Sequence, residues 1–79
     1  MKKSFEIAYS KEMPETSAEP REVDGYTVYQ YVLRCYDAAG NASYYSGYYN
    51  DEWTRDEIKA FLYEEAVRQG CNDCACTLL

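Results

Sequence analysis

The 79-residue sequence contains no histidine, and this absence removes several kinds of active site. Without an imidazole there is no Ser-His-Asp or Cys-His nucleophile, no histidine-ligated metal and no histidine-based pH switch. No glycine-rich phosphate loop, EF-hand pattern or HExxH motif is present either. A chain of this length also has little interior in which to bury a catalytic carboxyl group and raise its pKa. We therefore expect a protein without enzymatic activity.

Positive charge and long apolar segments are also scarce. Eight Lys and Arg residues stand against fourteen Asp and Glu residues, which gives a formal net charge of −6. Nonspecific nucleic-acid binders and anionic-membrane binders need a surface rich in Lys and Arg, so neither nucleic acid nor a membrane is an expected partner. No apolar run approaches the length of a secretory signal or a membrane span. The sequence therefore predicts a cytoplasmic protein.

Aliphatic side chains are few, because Leu, Ile, Val and Phe together fill only 12 of the 79 positions. So small a share is typical of disordered chains. Ten tyrosines and one tryptophan indicate the opposite, since disordered chains are poor in aromatic residues. Each such ring buries on the order of 150–250 Å². We expect a single small domain, residues 1–79, with a core built largely from tyrosine.

A β-hairpin is predicted in the middle of the chain. Residues 26–36 and 42–49 are rich in β-branched and aromatic residues, and residues 37–41 between them contain the turn-forming Gly40. A tight, symmetric turn places Tyr36 opposite Ala42. One face of the hairpin then carries Tyr29, Tyr31, Leu33, Cys35, Tyr45 and Tyr49. The other face carries Val28, Gln30, Val32, Arg34, Tyr44, Ser46 and Tyr48, and Gly47 lies opposite Tyr31.

One amphipathic helix is predicted after the hairpin. Thr54 and Glu57 have the spacing of a capping box, and Gly70 supplies a C-terminal stop. The apolar residues between them recur at helical spacing: Ile58, Phe61, Leu62 and Ala66, with Val67 beside them. Residues 75–79 are predicted to form a last short strand.

The predicted fold class is α+β, with the element order β-β-β-α-β. Alternation over residues 4–9 indicates a first strand, with Phe5, Ile7 and Tyr9 on one face. Residues 12–24 contain both prolines and five acids, which indicates an acidic, solvated loop. We expect an antiparallel meander of three strands, extended to four by the last one, with the helix packed on one face. The other face is then apolar and needs a lid, a second copy or a partner.

Four cysteines form the only group suited to inorganic chemistry: Cys35, Cys71, Cys74 and Cys76. Four thiolates can hold a tetrahedral zinc, but zinc ribbons normally use two separate CxxC pairs, and here three thiols crowd one end. Alternatively, Cys71 and Cys74 can form a labile disulfide with a redox role. In the simplest interpretation the cysteines are small buried side chains of a cytosolic protein. We favour no metal and no other cofactor, with zinc as the alternative.

The acids of residues 51–65 indicate a negatively charged surface, because a helix fixes them in space. Six acids stand there against Arg55 and Lys59. They can be a solvated helix face, or a surface that meets a basic partner protein. A tyrosine-rich run at residues 44–49 precedes them, and Tyr and Trp are frequent interface anchors. The candidate partner-binding residues are Tyr44, Tyr48, Asp51, Glu52, Trp53, Asp56, Glu57, Glu64 and Glu65.

In size, charge and composition the chain resembles the phage and mobile-element inhibitors of restriction and CRISPR systems. That resemblance implies a protein that acts in the cytoplasm of a bacterial host cell and occupies a basic nucleic-acid groove of a defence complex. Carboxylates would then imitate phosphates, while Tyr44, Tyr48 and Trp53 anchor the contact. Two other functions stay open: a cysteine-based zinc or redox module, and a self-associating structural subunit that forms a homodimer.

Overall fold

The computed structural model describes residues 3–79, which form a five-stranded antiparallel sheet and one helix. The elements are β1 (Ala8–Ser10), β2 (Arg21–Val23), β3 (Tyr26–Tyr36), β4 (Ala42–Asn50), α1 (Arg55–Arg68) and β5 (Asp73–Leu78). The central strand is β3, which pairs with β4 along one edge and with β2 and β5 along the other. The α+β class and the order β-β-β-α-β are confirmed, and the short strand β2 is added to them.

The β3–β4 hairpin has the predicted register. Tyr36 pairs with Ala42, and the pairing continues without a slip to Val28 and Asn50. The turn is held by the carboxylate of Asp37, which accepts the backbone N–H groups of Ala39 at 2.9 Å and Asn41 at 2.8 Å. These hydrogen bonds, with those from Asn41 contributing most, lower the pKa of Asp37 below its ordinary value.

The helix also begins as predicted. The Thr54 hydroxyl accepts the backbone N–H of Glu57 at 3.1 Å, and the Glu57 carboxylate accepts the backbone N–H of Thr54 at 3.0 Å. Ile58 and Leu62 are fully buried against the face of the sheet that carries Tyr31. Val67 differs from the prediction, because it is 79% exposed and lies outside the buried stripe.

The chain between β1 and β2 crosses the face of the sheet that α1 leaves open. Its backbone is fixed there by the side chain of Gln30, which is only 7% exposed. Gln30 Nε2 donates to the carbonyl of Glu15 at 2.8 Å, and its Oε1 accepts the N–H of Ser17 at 2.8 Å. The crossing carries β1 to the outer edge of β4, so the predicted meander, with the first strand next to β3, is wrong. The lid that this face requires is therefore a segment of the same chain.

The first strand is interrupted where it passes over Gly47. A Cβ atom at Gly47 would lie 2.1 Å from the carbonyl oxygen of Glu6. That carbonyl accepts the hydroxyl of Tyr31 at 2.7 Å, and the Tyr31 side chain is completely buried. Gly47 thus makes room chiefly for a neighbouring backbone. Ile7, next to the interruption, is 42% exposed rather than on the buried face.

Substituting Gly47 tests this close approach. Gly47→Ala should lower the free energy of unfolding by about 1–3 kcal/mol, because the backbone at Glu6 must move to admit a methyl group. Urea titration followed by circular dichroism measures it. Ser43→Ala, in the same strand, is the control and should change stability by less than about 0.5 kcal/mol. Equal stability of both variants would show that the backbone at Glu6 is not held close to Gly47.

Gln30→Leu tests the attachment of the crossing segment. The variant loses both hydrogen bonds to the segment and should be destabilised by about 1–2 kcal/mol. A glutamate-specific protease should then cleave the native protein faster at Glu15 or Glu19. Gln69→Leu makes the same change at an exposed position and should leave cleavage unchanged. Identical cleavage rates for the two variants would contradict the role assigned to Gln30.

Candidate partner-binding surface

Carboxylates gather where β4 finishes and α1 begins, and all of them except the half-buried Glu52 are exposed. The backbone N–H of Asp51 donates to the carbonyl of Thr27 at 3.1 Å. On the other side of β3, Glu22 pairs with the same Thr27. We name the group at this end of the sheet the acidic end: Glu22, Asp24, Asp51, Glu52 and Asp56. None of its members forms an ion pair with another residue in the range 3–79.

An open groove of about 400 Å³ lies beside the acidic end, at the N-terminus of α1. The rings of Tyr29 and Tyr49 form part of its wall, with their centroids 5.7 Å apart. The residues that line it are Tyr29, Tyr49, Asp51, Trp53, Thr54 and Arg55. The groove therefore combines three aromatic side chains with one carboxylate and one guanidinium group.

Trp53 is held in a fixed position within this groove. Its indole N–H donates to the carbonyl of Ser4 at 3.1 Å. Its ring packs against Phe61 with a centroid distance of 5.2 Å, and Lys3 Nζ lies 5.0 Å from the ring centroid. Because these contacts hold the indole in advance, little ordering of this side chain is needed when a partner binds.

Glu57 is used by the fold itself. One carboxylate oxygen completes the capping box, and the other accepts Lys3 Nζ at 2.5 Å. The hydrogen bond from Lys3 and then those from Thr54 lower the pKa of Glu57 to about 2. Glu57 is thus less available to a partner than the members of the acidic end.

The expectation that Glu65 projects outward from the helix is wrong. Glu65 is 7% exposed, lies on the inner side of α1 and pairs with Arg68. Its charge is one reason that the pKa of Tyr31 and that of Tyr45 are raised, although burial is the larger cause for both. Glu64, its neighbour, is exposed about two helical turns beyond Asp56.

Tyr44 and Tyr48 lie on the opposite face of the sheet from Trp53. Each ring already has a cationic neighbour in the same chain. The Arg21 guanidinium is 4.4 Å from the centroid of Tyr48, and that of Arg34 is 5.7 Å from the centroid of Tyr44. The structure therefore does not bring these two tyrosines together with Trp53 and the groove.

Sequence reasoning missed the tyrosines of the groove and two of its nearby acids. The prediction that Tyr29 and Tyr49 lie on the helix-covered face is confirmed, and both also line the groove, where Tyr29 is half-buried and Tyr49 is only 3% exposed. Glu22 and Asp24 belong to the β2–β3 hairpin. The Asp24-Gly25 dipeptide is a recognisable hairpin signal, so that turn was detectable in the sequence.

The sulfur atoms lie at the other end of β3. Cys35 and Cys71 form a disulfide, whereas Cys74 and Cys76 are free and half-buried. The alternative Cys71–Cys74 disulfide is therefore not the one present. Among residues 3–79 no group of three or more metal-ligating side chains is arranged to hold a metal ion.

Comparison with known proteins gives no match, whether with family models, curated proteins or solved structures. Within residues 3–79, α1 lacks the length and the apolar character that crossing a membrane would require.

The pH dependence of stability should reflect Glu57. Its pKa is about 2 in the folded protein against an ordinary value of 4.5. The folded state therefore binds fewer protons than the unfolded state between these values, so this stabilisation is present above about pH 4.5 and is lost as the pH falls to about 2. Thermal unfolding from pH 7 to pH 2 should show a smaller acid-induced loss for Glu57→Gln than for the natural protein.

Glu64→Gln is the control, because it removes the same charge from an exposed position of the same helix. It should retain the acid sensitivity of the natural protein. Parallel curves for the natural protein and Glu57→Gln would show that the Lys3–Glu57 contact and the capping box do not lower this pKa.

Proposed function

We propose that this protein is a non-enzymatic binding module whose acidic end docks on a basic surface of another protein. One observation carries the proposal. Carboxylates that the fold leaves without ion pairs within residues 3–79 adjoin a groove lined by three aromatic rings. The carboxylates supply long-range attraction, and the aromatic groove supplies contact area.

The two parts have different roles in such a contact. Carboxylates at the acidic end steer a basic partner and favour one orientation of docking. The half-buried rings of Tyr29 and Trp53 offer apolar area, and aromatic faces also accept cationic side chains. Arg55 lines the groove as well, so Asp51 and its acidic neighbours, rather than the groove alone, must attract the partner.

The proposal shifts the anchors from those expected from the sequence. Tyr44 and Tyr48 lie on the other face and already contact arginines of the chain. Tyr29, which is half-buried, takes their place beside Trp53. Among the acids, Glu57 and Glu65 serve the fold, and Glu64 stays a prediction at the edge of the surface.

The partner class that we propose is a nucleic-acid-binding protein of a bacterial defence system. Such proteins carry basic grooves that hold phosphates, and an acidic domain can occupy one in competition with nucleic acid. The small size and the net charge of −6 support this class. The protein would then act in the cytoplasm of the bacterial host cell, without contacting nucleic acid or membranes.

Asp51→Lys should weaken binding to a basic partner. Trp53 is the only tryptophan and lies in the groove, so its fluorescence reports occupancy. Titration with an arginine-rich peptide at low salt should give a saturable change for the natural protein. Replacing an attraction by a repulsion costs about 1–2 kcal/mol, so Asp51→Lys should bind roughly tenfold more weakly. Added salt should weaken binding of the natural protein.

The matched control is Glu12→Lys, which changes the net charge equally at an exposed position outside the acidic end. It should bind the peptide nearly as well as the natural protein. Equal weakening by both substitutions would mean that net charge alone, and not this surface, attracts the peptide.

The same variants test the partner class. Expressed in bacteria that carry a restriction or CRISPR system, the natural protein and Glu12→Lys should restore phage plating, whereas Asp51→Lys should not. Peptide binding without protection against any such system would retain the basic partner and remove the defence complex.

A further inference from the structure

Cys35 is the central residue of the cysteine group. It is buried near the end of β3 and bonded to Cys71, with a Cα–Cα distance of 5.4 Å. Across the β3–β5 ladder it is paired directly with Cys74. The side chains of Cys71, Cys74 and Cys76 all pack against the core on the helix-covered face. A disulfide and a free thiol therefore share one side of the sheet.

The register allows Cys35 to bond to Cys74 as well. The backbone N–H of Leu79 donates to the carbonyl of Gln30 at 3.0 Å, which makes these residues a hydrogen-bonded pair. Hydrogen-bonded and non-hydrogen-bonded pairs alternate along an antiparallel ladder, so Cys35 and Cys74 are a non-hydrogen-bonded pair. Their Cα atoms are then about 4.5 Å apart, within the range of about 4.4–6.8 Å that disulfides span.

Solvent also reaches this group. Cys35 lines an open cleft of about 390 Å³ beyond the C-terminal end of α1, together with Tyr45 and Gln69.

We propose that these residues form a thiol–disulfide exchange site in which Cys35 is shared between two alternative partners. The thiolate of Cys74 attacks Sγ of Cys35, a Cys35–Cys74 bond forms, and the Cys35–Cys71 bond breaks. Cys71 leaves as a thiolate and takes up the proton that Cys74 released. The exchange is an isomerisation and requires no external oxidant or reductant.

Exchange changes what the disulfide connects. In the observed state it joins β3 to Cys71, three residues beyond the end of α1. In the alternative state it joins β3 to β5, two strands that the ladder already holds together. The C-terminal end of the helix is then no longer tethered covalently, and a thiol at Cys71 becomes free.

Cys76 is the natural comparison for Cys74. It lies two residues farther along β5 on the same face, but it pairs with Leu33 rather than with a cysteine. Burial raises the pKa of its thiol, which disfavours the reactive thiolate. The register thus assigns the attack to Cys74.

Peptide mapping of the full-length protein tests the proposal. The oxidised protein is incubated without oxygen at about pH 8.5, near the ordinary pKa of a cysteine thiol, then quenched in acid and alkylated. Cleavage before aspartate places Cys35 in peptide 24–36, Cys71 in 56–72, and Cys74 with Cys76 in 73–79. The natural protein and Cys76→Ser should both yield a cross-link between 24–36 and 73–79, with alkylated Cys71. Cys74→Ser should yield only the cross-link between 24–36 and 56–72.

A second variant makes the test independent of the equilibrium between the two states. Cys71→Ser treated with oxidised glutathione should lose two hydrogens and contain the Cys35–Cys74 bond. Glutathione adducts without an internal disulfide would overturn the proposal. So would a cross-link from peptide 73–79 that persists in Cys74→Ser, because Cys76 would then be the attacking thiol.

Discussion

The structure depends on β3, a single eleven-residue strand that is paired along both edges and covered on both faces. On one face Tyr31 and Leu33 are fully buried beneath α1. On the other, Val28 and Val32 are buried around Gln30, whose side chain holds the crossing segment. A chain so poor in aliphatic residues gains enough buried area only because one strand supplies both layers. The long tyrosine side chains make this arrangement feasible.

This constraint also decides which charges are available for binding. Carboxylates near the core or the helix terminus are given partners by the fold, as Glu65 is by Arg68 and Glu57 by Lys3. The members of the acidic end lie where the sheet ends, and the fold gives them no ion pair among residues 3–79. The half-buried rings of Tyr29 and Trp53 line the groove at the same place. Exposed charge and aromatic area therefore occur together, because both lie at the end of the sheet where α1 begins.

Features determined by neighbouring residues were predictable from the sequence, while those that depend on distant contacts were not. The capping box at Thr54 and the hairpin register about Asp37 follow from local hydrogen bonds, and both are confirmed. The crossing segment depends on the amide of Gln30, which no local pattern distinguishes from a surface glutamine. Glu65 is a different case, since helical spacing from Ile58 places it inward. Its charge led to the wrong prediction.

The acidic end and the sulfur atoms lie at opposite ends of β3. Cys35 is the eighth residue after Thr27, a distance on the order of 26 Å along a strand. The helix α1 also extends from one end to the other, with its N-terminus beside the groove and Cys71 after its C-terminus. Its N-terminus is fixed independently by the capping box and Lys3. Exchange at Cys35 would therefore loosen the last turn of the helix and leave the groove around Trp53 in place, so the two ends can act separately.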